Sequence, residues 1–357
     1  MHAERSATPS RAYRRVMRVA LVTATVVVAA CGSGTGTTRV VIPPGATFRV
    51  AADSLHRAGI VGSTRLFRMY ASLRGHDRRI RAGTYVMSRG MSWPAVVNAL
   101  TQGTGLIRTV TIPEGYAIAD IAPLLARTLG VEEDSVLAAT RDSTMRERLD
   151  VPAATLEGYL FPDTYSFPDG TTGRAAVETM VRRFEQVWQP AWNEKLEQMA
   201  LSRHDIITLA SIVEKEAKLP AERPVIAAVY LNRLRIGMRL QADPTVQYAL
   251  GRHSSRLFYK DLRVESPYNT YEHAGLPPGP IASPGRASIV ASVDPAAVPY
   301  RYFVAHPDGH HEFHVDYRSH ERAVAAARRE RDALAKGGPA ALPNAGRAPA
   351  SSRPRRR

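Results

Sequence analysis

Apolar positions along the chain alternate between a period of two and a period near 3.6, which predicts short strands mixed with amphipathic helices. Arg39-Val-Val-Ile-Pro-Pro-Gly45 reads as a strand closed by a turn, and Phe48, Ala51, Ala52 and Leu55 as a helix stopped at Ala58-Gly59. A second helix runs through Leu66, Met69, Tyr70 and Leu73, and residues 82–87 alternate as a strand. Ser92 and Pro94 then predict a helix over 92–100, with serine as N-cap and proline in the first turn. The strand–helix–helix–strand order over 40–105 is that of a small sugar-binding module.

The first strand, turn and helix have an echo at an offset of 70. Ile42-Pro-Pro-Gly45, Ala52, Leu55, Arg57 and Val61 match Ile112-Pro-Glu-Gly115, Ala122, Leu125, Arg127 and Val131. Two copies make a duplicated unit, not a solenoid. Residues 132–150 are polar and helical. Leu156 to Phe167 gathers four aromatics with Glu157 and Asp163 around a glycine and a proline, which reads as a loop or strand edge. Such a corner suits either a carbohydrate cleft or plain packing. Residues 175–199 read as one helix with Phe184, Val187 and Trp188 on its apolar side.

The centre of the chain is 206–247. Ile206, Leu209, Ala210, Val213 and Ala217 form an apolar helical stripe. Glu214 and Glu216 fall on opposite shoulders of it, about 160° apart, and Lys215 on the far, solvent face. Periodicity does not rank the two glutamates. A break at Pro220, a helix over 225–234 and a polar loop carrying Gln241, Asp243 and Thr245 follow. Residues 275–285 hold three Gly and four Pro, so the backbone there is a rigid loop. A helix over 287–293, a hairpin turning at 306–311, and a helix over 320–334 capped by Ser319 complete the pattern. The fold class predicted is α+β.

Charge changes the picture less than its total suggests. The net charge is +15 over 357 residues. Residues 1–18 carry five Arg and one Glu, and 337–357 five Arg and no acid, so the ends supply nine of the fifteen. The middle is only mildly basic, which argues against a nucleic-acid partner; an acidic polymer or anionic membrane stays compatible. The arginines at 11, 14, 15 and 18 precede the apolar run Val19–Cys31. That order is an export signal with the positive end inside. Two anchors fit: a short transmembrane helix, or lipid attachment at Cys31, the only cysteine. Both put the bulk of the chain outside the cytoplasm. The predicted divisions are a basic segment at 1–15, the anchor at 16–31, a linker at 32–39, a module at 40–105, a larger domain at 106–335 and a basic tail at 336–357.

Several chemistries find no support. His306, His310, His311, His314 and His320 lie near Asp308, Glu312 and Asp316, yet no HExxH is present and the stretch reads as a hairpin, so no metal site is expected. There is no G-x-S-x-G around Ser211 and no phosphate-binding glycine loop. Carboxylate acid/base chemistry on an extended substrate remains, with no cofactor.

Longer motifs point further. Ala210-Ser-Ile-Val-Glu-Lys-Glu216, Asn232 to Thr245, Tyr268-Asn-Thr-Tyr271, Gly275 to Gly285, Glu157 to Tyr165 and Tyr302 to Ala305 strongly resemble the endolytic murein transglycosylases, the YceG-like family. The resemblance covers nearly all of 40–335. It implies cleavage of the bond between N-acetylmuramic acid and N-acetylglucosamine within peptidoglycan strands, leaving 1,6-anhydromuramic ends. It implies a LysM-like module at 40–105 and a catalytic domain at 106–335. It places the catalytic glutamate on Glu214, which would protonate the glycosidic oxygen and then take the proton of the muramoyl 6-hydroxyl. The apolar stripe is expected to raise the pKa of that carboxyl group. Gln241, Asp243, Thr245, Tyr268 and Asn269 are candidates for positioning the sugar; Glu157 and Glu216 are cleft or supporting candidates. The expected partners are peptidoglycan glycan strands, the inner membrane and the peptidoglycan synthases (penicillin-binding proteins), with the catalytic domain on the periplasmic side. The competing reading is a membrane-anchored glycan-binding scaffold with an inert glutamate.

Overall fold

A computed structural model describes residues 36–76, 80–251 and 257–335. The anchor segment, Cys31 and the tail from 336 lie outside the described residues. The described chain forms two compact units, one holding 36–111, 124–132 and 164–176, the other 112–123, 133–163 and 177–335.

The first unit runs β1 (Thr37–Ile42), α1 (Phe48–Arg57), α2 (Thr64–Leu73), β2 (Gly83–Ser88), α3 (Trp93–Gln102) and β3 (Leu106–Thr111), and is joined later by β4 (Thr164–Pro168). The strands form one antiparallel sheet in the order β1-β2-β3-β4, with Arg39 opposite Val86 and Thr109 opposite Ser166. Alternation sets its buried face: Val40 and Ile42 on β1, Tyr85 and Met87 on β2. These pack with Leu55, Phe67, Val96, Leu100 and Leu106, each large side chain contributing roughly 1.5–3 kcal/mol. Phe48 stacks on Phe67 at 5.6 Å and Trp93 meets Phe67 edge-on at 5.9 Å. The expected strand–helix–helix–strand order is present as β1-α1-α2-β2, and the sheet continues into β3 and β4. On α2 the buried residues are Phe67 and Ala71, whereas Leu66, Met69 and Leu73 are exposed.

The sequence echo is structural. β3 leads through a turn into α4 (Ile118–Leu129) as β1 leads into α1, and the turn glycines Gly45 and Gly115 have φ of 71° and 76°. Left-handed backbone of this kind favours glycine.

The second unit is mainly helical: α5 (Glu133–Ala139), α6 (Ser143–Arg148), most of α7 (Gly173–Val187), α8 (Ala191–Met199), α9 (Arg203–Glu216), α10 (Arg223–Arg235), α11 (Asp243–Ala249), α12 (Arg286–Val293), the hairpin β5 (Tyr302–Ala305) and β6 (His311–His314), and α13 (Tyr317–Ala335). The single helix expected over 175–199 is two, because Pro190 opens α8. The polar loop expected at 241–245 is half helix: α11 starts at Asp243, with Pro244 in its first turn. The last helix starts at Tyr317, and Asp316 accepts from the Ser319 N–H at 2.9 Å, so the capping oxygen is the aspartate's.

α9 is the axis of this unit. A capping box starts it: the Ser202 hydroxyl oxygen accepts from Asp205 N at 3.1 Å, and Asp205 accepts from Ser202 N at 2.8 Å. The stripe predicted for it understates its burial. Every residue from Ile206 to Val213 is buried, Thr208 and Ser211 included. These polar side chains stay inside because they are satisfied: Thr208 donates to His204 O at 2.8 Å and Ser211 to Thr208 O at 2.7 Å. α8, α10, α11 and α12 pack around it. Among the described residues no helix is long and apolar enough to cross a membrane.

Candidate active site

The last three residues of α9 face three surroundings. Glu214 turns toward α10 and α12. Its Oε1 accepts from Arg223 Nη2 at 3.3 Å, and its Oε2 from Gly285 N at 3.0 Å and Ser288 Oγ at 2.7 Å. Its side chain is 7 % exposed. Ser288 also accepts from Arg223 Nε at 3.0 Å, so guanidinium, hydroxyl and carboxylate form one network. The carboxyl group is therefore met by donors, not by the apolar stripe expected around it. A carboxylate, which only accepts, matches all three.

Glu114 stands beside it. A Cβ on Gly285 would run into the Glu114 carboxyl group, while the N–H of the same glycine is bound to Glu214. Burial and the Glu214 charge push the Glu114 pKa up, with Arg223 opposing.

Lys215, expected on the solvent face, is half-buried instead; its Nζ donates to Gly115 O at 3.2 Å, and burial lowers its pKa against the pull of Asp120 and Glu214. It lines a cavity of about 460 Å³ together with Ile118, Asp120, Arg141, Glu157 and Tyr248. A mostly apolar hollow with a few polar groups is the usual form of a small-molecule site. Glu157 is 5 % exposed, accepts from Ile118 N at 3.1 Å and from Tyr248 OH at 3.4 Å, and burial pushes its pKa up to about 7. Tyr268 packs on Tyr248 with ring centroids 4.9 Å apart.

Glu216 faces a third neighbourhood. It accepts from Tyr230 OH at 3.0 Å, and burial together with the Asp243 charge pushes its pKa up to about 7. Asp243 is exposed and accepts from Tyr271 OH at 2.6 Å. Gln241 is exposed, with φ of 50°, in the left-handed region that few non-glycine residues occupy. Its N–H bonds Thr270 O at 3.1 Å. Thr245 and Asn269 have no exposed surface. The Thr245 hydroxyl donates to Ala242 O at 2.7 Å and lies 2.9 Å from Thr270 Oγ1. Asn269 donates to Leu262 O at 3.0 Å and Val264 O at 2.9 Å, and accepts from Tyr271 N at 3.0 Å. Gln241, Asp243, Thr245 and Asn269 thus share one junction between the 262–271 loop and α11. Tyr268 packs behind Tyr248 and does not line the Glu157 cavity, and Glu214 belongs to neither group.

Sequence reasoning did not single out Glu114, Arg223, Gly285 or Ser288. One signal was available: at the offset of 70, Pro44 stands where Glu114 does. The suspected histidine ligands bind carboxylates, His306 to Glu330 at 2.9 Å and His311 to Glu222 at 2.7 Å. Among the described residues no group of three could hold a metal ion.

Comparison with known proteins follows the same residues. The YceG-like family profile matches residues 40–326. The endolytic murein transglycosylase of Bacillus subtilis is 34 % identical over 302 residues, 80 % of this chain and 84 % of that protein. That of Streptococcus pneumoniae is 30 % identical over 316 residues, 80 % of this chain and 57 % of the longer relative. A crystal structure of a yceG-like protein from Listeria monocytogenes, 32 % identical, covers 80 % of this chain and 98 % of that one with a TM-score of 0.58. Since the family match takes in both units and the central Val-Glu-Lys-Glu helix, the chain belongs to the YceG-like family.

Proposed function

We propose that the chain is a lytic transglycosylase that cleaves the bond between N-acetylmuramic acid and N-acetylglucosamine inside nascent peptidoglycan strands and so ends their elongation. The observation that carries the proposal is Glu214, a carboxylate 7 % exposed, clasped by Arg223, Gly285 N–H and Ser288 at the end of a buried helix. The fixed donors aim one carboxyl group at a defined place, as proton transfer in a transition state requires. In the reaction the glycosidic C1–O bond breaks and its oxygen takes a proton. The muramoyl O6 bonds C1 and gives its proton up, so no water is consumed. The cavity lined by Glu157, Lys215 and Tyr248 is proposed to seat a sugar unit, with Tyr268 supporting its wall. Gln241 and Asp243, both exposed, are proposed to contact the glycan; Thr245 and Asn269 act by holding the loop they stand on. Glu216 is assigned a supporting role. Residues 40–105 are proposed as a LysM-like glycan-binding module. Residues 16–31 are proposed to anchor the chain in the inner membrane, as a helix or through Cys31, with the enzyme on the outer side near the peptidoglycan synthases.

The test is digestion of purified glycan strands by the wild type and by Glu214→Gln. Anhydromuramoyl ends from the wild type alone are expected. Ends from both, or from neither, would overturn the reading, and binding without cleavage by both proteins would leave a scaffold.

A further inference from the structure

Resting on that reading, the structure holds a feature it does not use. A single carboxyl group that acts as acid and then base must carry a proton before the reaction. Of the three donors bound to Glu214 only the Ser288 hydroxyl can also accept, and as placed it donates to Glu214 and accepts from Arg223 Nε. The two copies of the strand–turn–helix unit supply a second carboxyl group. Their turns share the Ile-Pro-x-Gly pattern and nearly the same glycine φ, 71° and 76°. Both third places are exposed; the first copy has Pro44, and the second has Glu114, whose carboxyl group lies against Gly285. The turn that carries Glu114 is pinned to the 275–285 loop by a reciprocal pair of bonds, Gly115 N to Ser283 O and Ser283 N to Tyr116 O, both 2.8 Å. Gly285 therefore touches both carboxyl groups: its N–H holds Glu214, and the absence of a side chain leaves room for Glu114.

We propose that Glu114 is the proton-holding partner of Glu214: the two carboxyl groups share one proton, which rests on Glu114 and reaches the substrate through Glu214. The balance closes without an outside acid. Glu214 relays the proton to the leaving glycosidic oxygen as the C1–O bond breaks, takes the O6 proton as the new C1–O6 bond forms, and returns it to Glu114. Glu114 does not touch the substrate and is a positioning residue in this scheme. The charged groups facing the pair are Arg223 from α10, and Lys215 from α9, whose stem lies against Gly115. Arg223 bonds Glu214, so the partner with fewer cationic contacts keeps the proton. Lys215 Nζ donates to Gly115 O at 3.2 Å and pulls on Glu214 and Asp120.

The experiment compares the wild type, Glu114→Gln, Glu114→Asp and Gly285→Ala on purified glycan strands, with kcat and KM for anhydromuramoyl ends measured across pH and folding checked by thermal melts. Glutamine cannot hold a transferable proton, so kcat near neutral pH is expected to fall by about 100-fold or more. KM is expected to change little, and the alkaline limb to move to lower pH. Aspartate should restore the limb at a reduced rate. Gly285→Ala, which displaces Glu114 and keeps the 285 N–H, should reproduce the glutamine profile and serves if Glu114→Gln does not fold. A wild-type profile in Glu114→Gln, or an equal loss at every pH, overturns the proposal. A second readout is independent of turnover: carboxyl carbon-13 titration of Glu114 in the wild type and in Glu214→Gln. Removing the Glu214 charge should lower the Glu114 midpoint, and an unmoved midpoint overturns the proposal. A wild type that makes no anhydromuramoyl ends while the midpoint shifts would sink the function and leave the shared proton standing.

Discussion

Glu157 offers the sharpest thermodynamic test, because its carboxyl group is buried and its pKa is pushed from an ordinary 4.5 up to about 7. An acid whose pKa is higher in the folded than in the unfolded chain binds more protons when folded. Its contribution is fully present below the unfolded value and is lost as pH rises through 7. The expected loss for a shift of this size is about 2.5 kcal/mol between pH 5 and pH 8. Glu157→Gln keeps the shape and is neutral at both pH values, and its amide oxygen can still accept from Ile118 N. Wild type and variant should therefore lie within about 1 kcal/mol of each other at pH 5, the scale of one hydrogen bond. At pH 8 the variant should gain about 2.5 kcal/mol on the wild type relative to that gap. Urea unfolding followed by tryptophan fluorescence reads this, since Trp188 and Trp192 both lie in the unit that contains Glu157. Glu216, also pushed up to about 7, adds its own slope to both proteins and cancels in the difference. A gap that stays constant from pH 5 to pH 8 would refute the reasoning, because the wild type would then be paying no penalty for ionising Glu157.

Two further predictions concern the frame. Gly158 has φ of +83°, and a Cβ there would strike Pro280 and come within 3.1 Å of Ile207 Cγ2, so Gly158→Ala should cost about 1–3 kcal/mol in urea unfolding. A variant as stable as the wild type would mean that the 275–285 loop is not pressed onto this glycine. Asn269→Ala leaves Leu262 O and Val264 O without their donor and should cost about 1–3 kcal/mol, with faster proteolysis of the 257–271 stretch as the readout. Unchanged cleavage there would place the role of Asn269 elsewhere.

Local pattern made most elements legible, and long-range neighbours made the site illegible. β1, α1, β2 and α3 follow from alternation, helical spacing, Ser92 and Pro94, and they occur where those signals put them. α11 was missed because Pro244 looks like a loop residue until it is seen to occupy the first turn of a helix. The stripe understates the burial of α9 because Thr208 and Ser211 are polar and fall outside it, and only the carbonyls of the preceding turn show how they are satisfied. Glu214 and Glu216 looked equivalent on a wheel. What separates them lies 9 to 74 residues away: Arg223, Gly285 and Ser288 on one side, Tyr230 on the other. No periodicity carries that information.

The same distances explain why so many polar groups of a buried helix are spent on one loop. From the 275–285 segment, Pro278 O meets His204 Nε2 at 3.0 Å, Ile281 N bonds Ser211 Oγ at 3.0 Å, and Gly285 N reaches Glu214 at 3.0 Å. These three anchors lie along α9, so the loop runs beside the helix from its first turn to its last. Proline fixes φ through the loop, which leaves little freedom to lose when the bonds form. Ser211 is therefore read best as a loop anchor: its oxygen accepts from Ile281 N while its own O–H donates to Thr208 O. Glu214 is then positioned from two sides at once, by its place on α9 and by a loop that the same helix holds. A carboxyl group fixed in this way loses little on meeting a substrate, which is where a rigid frame serves proton transfer.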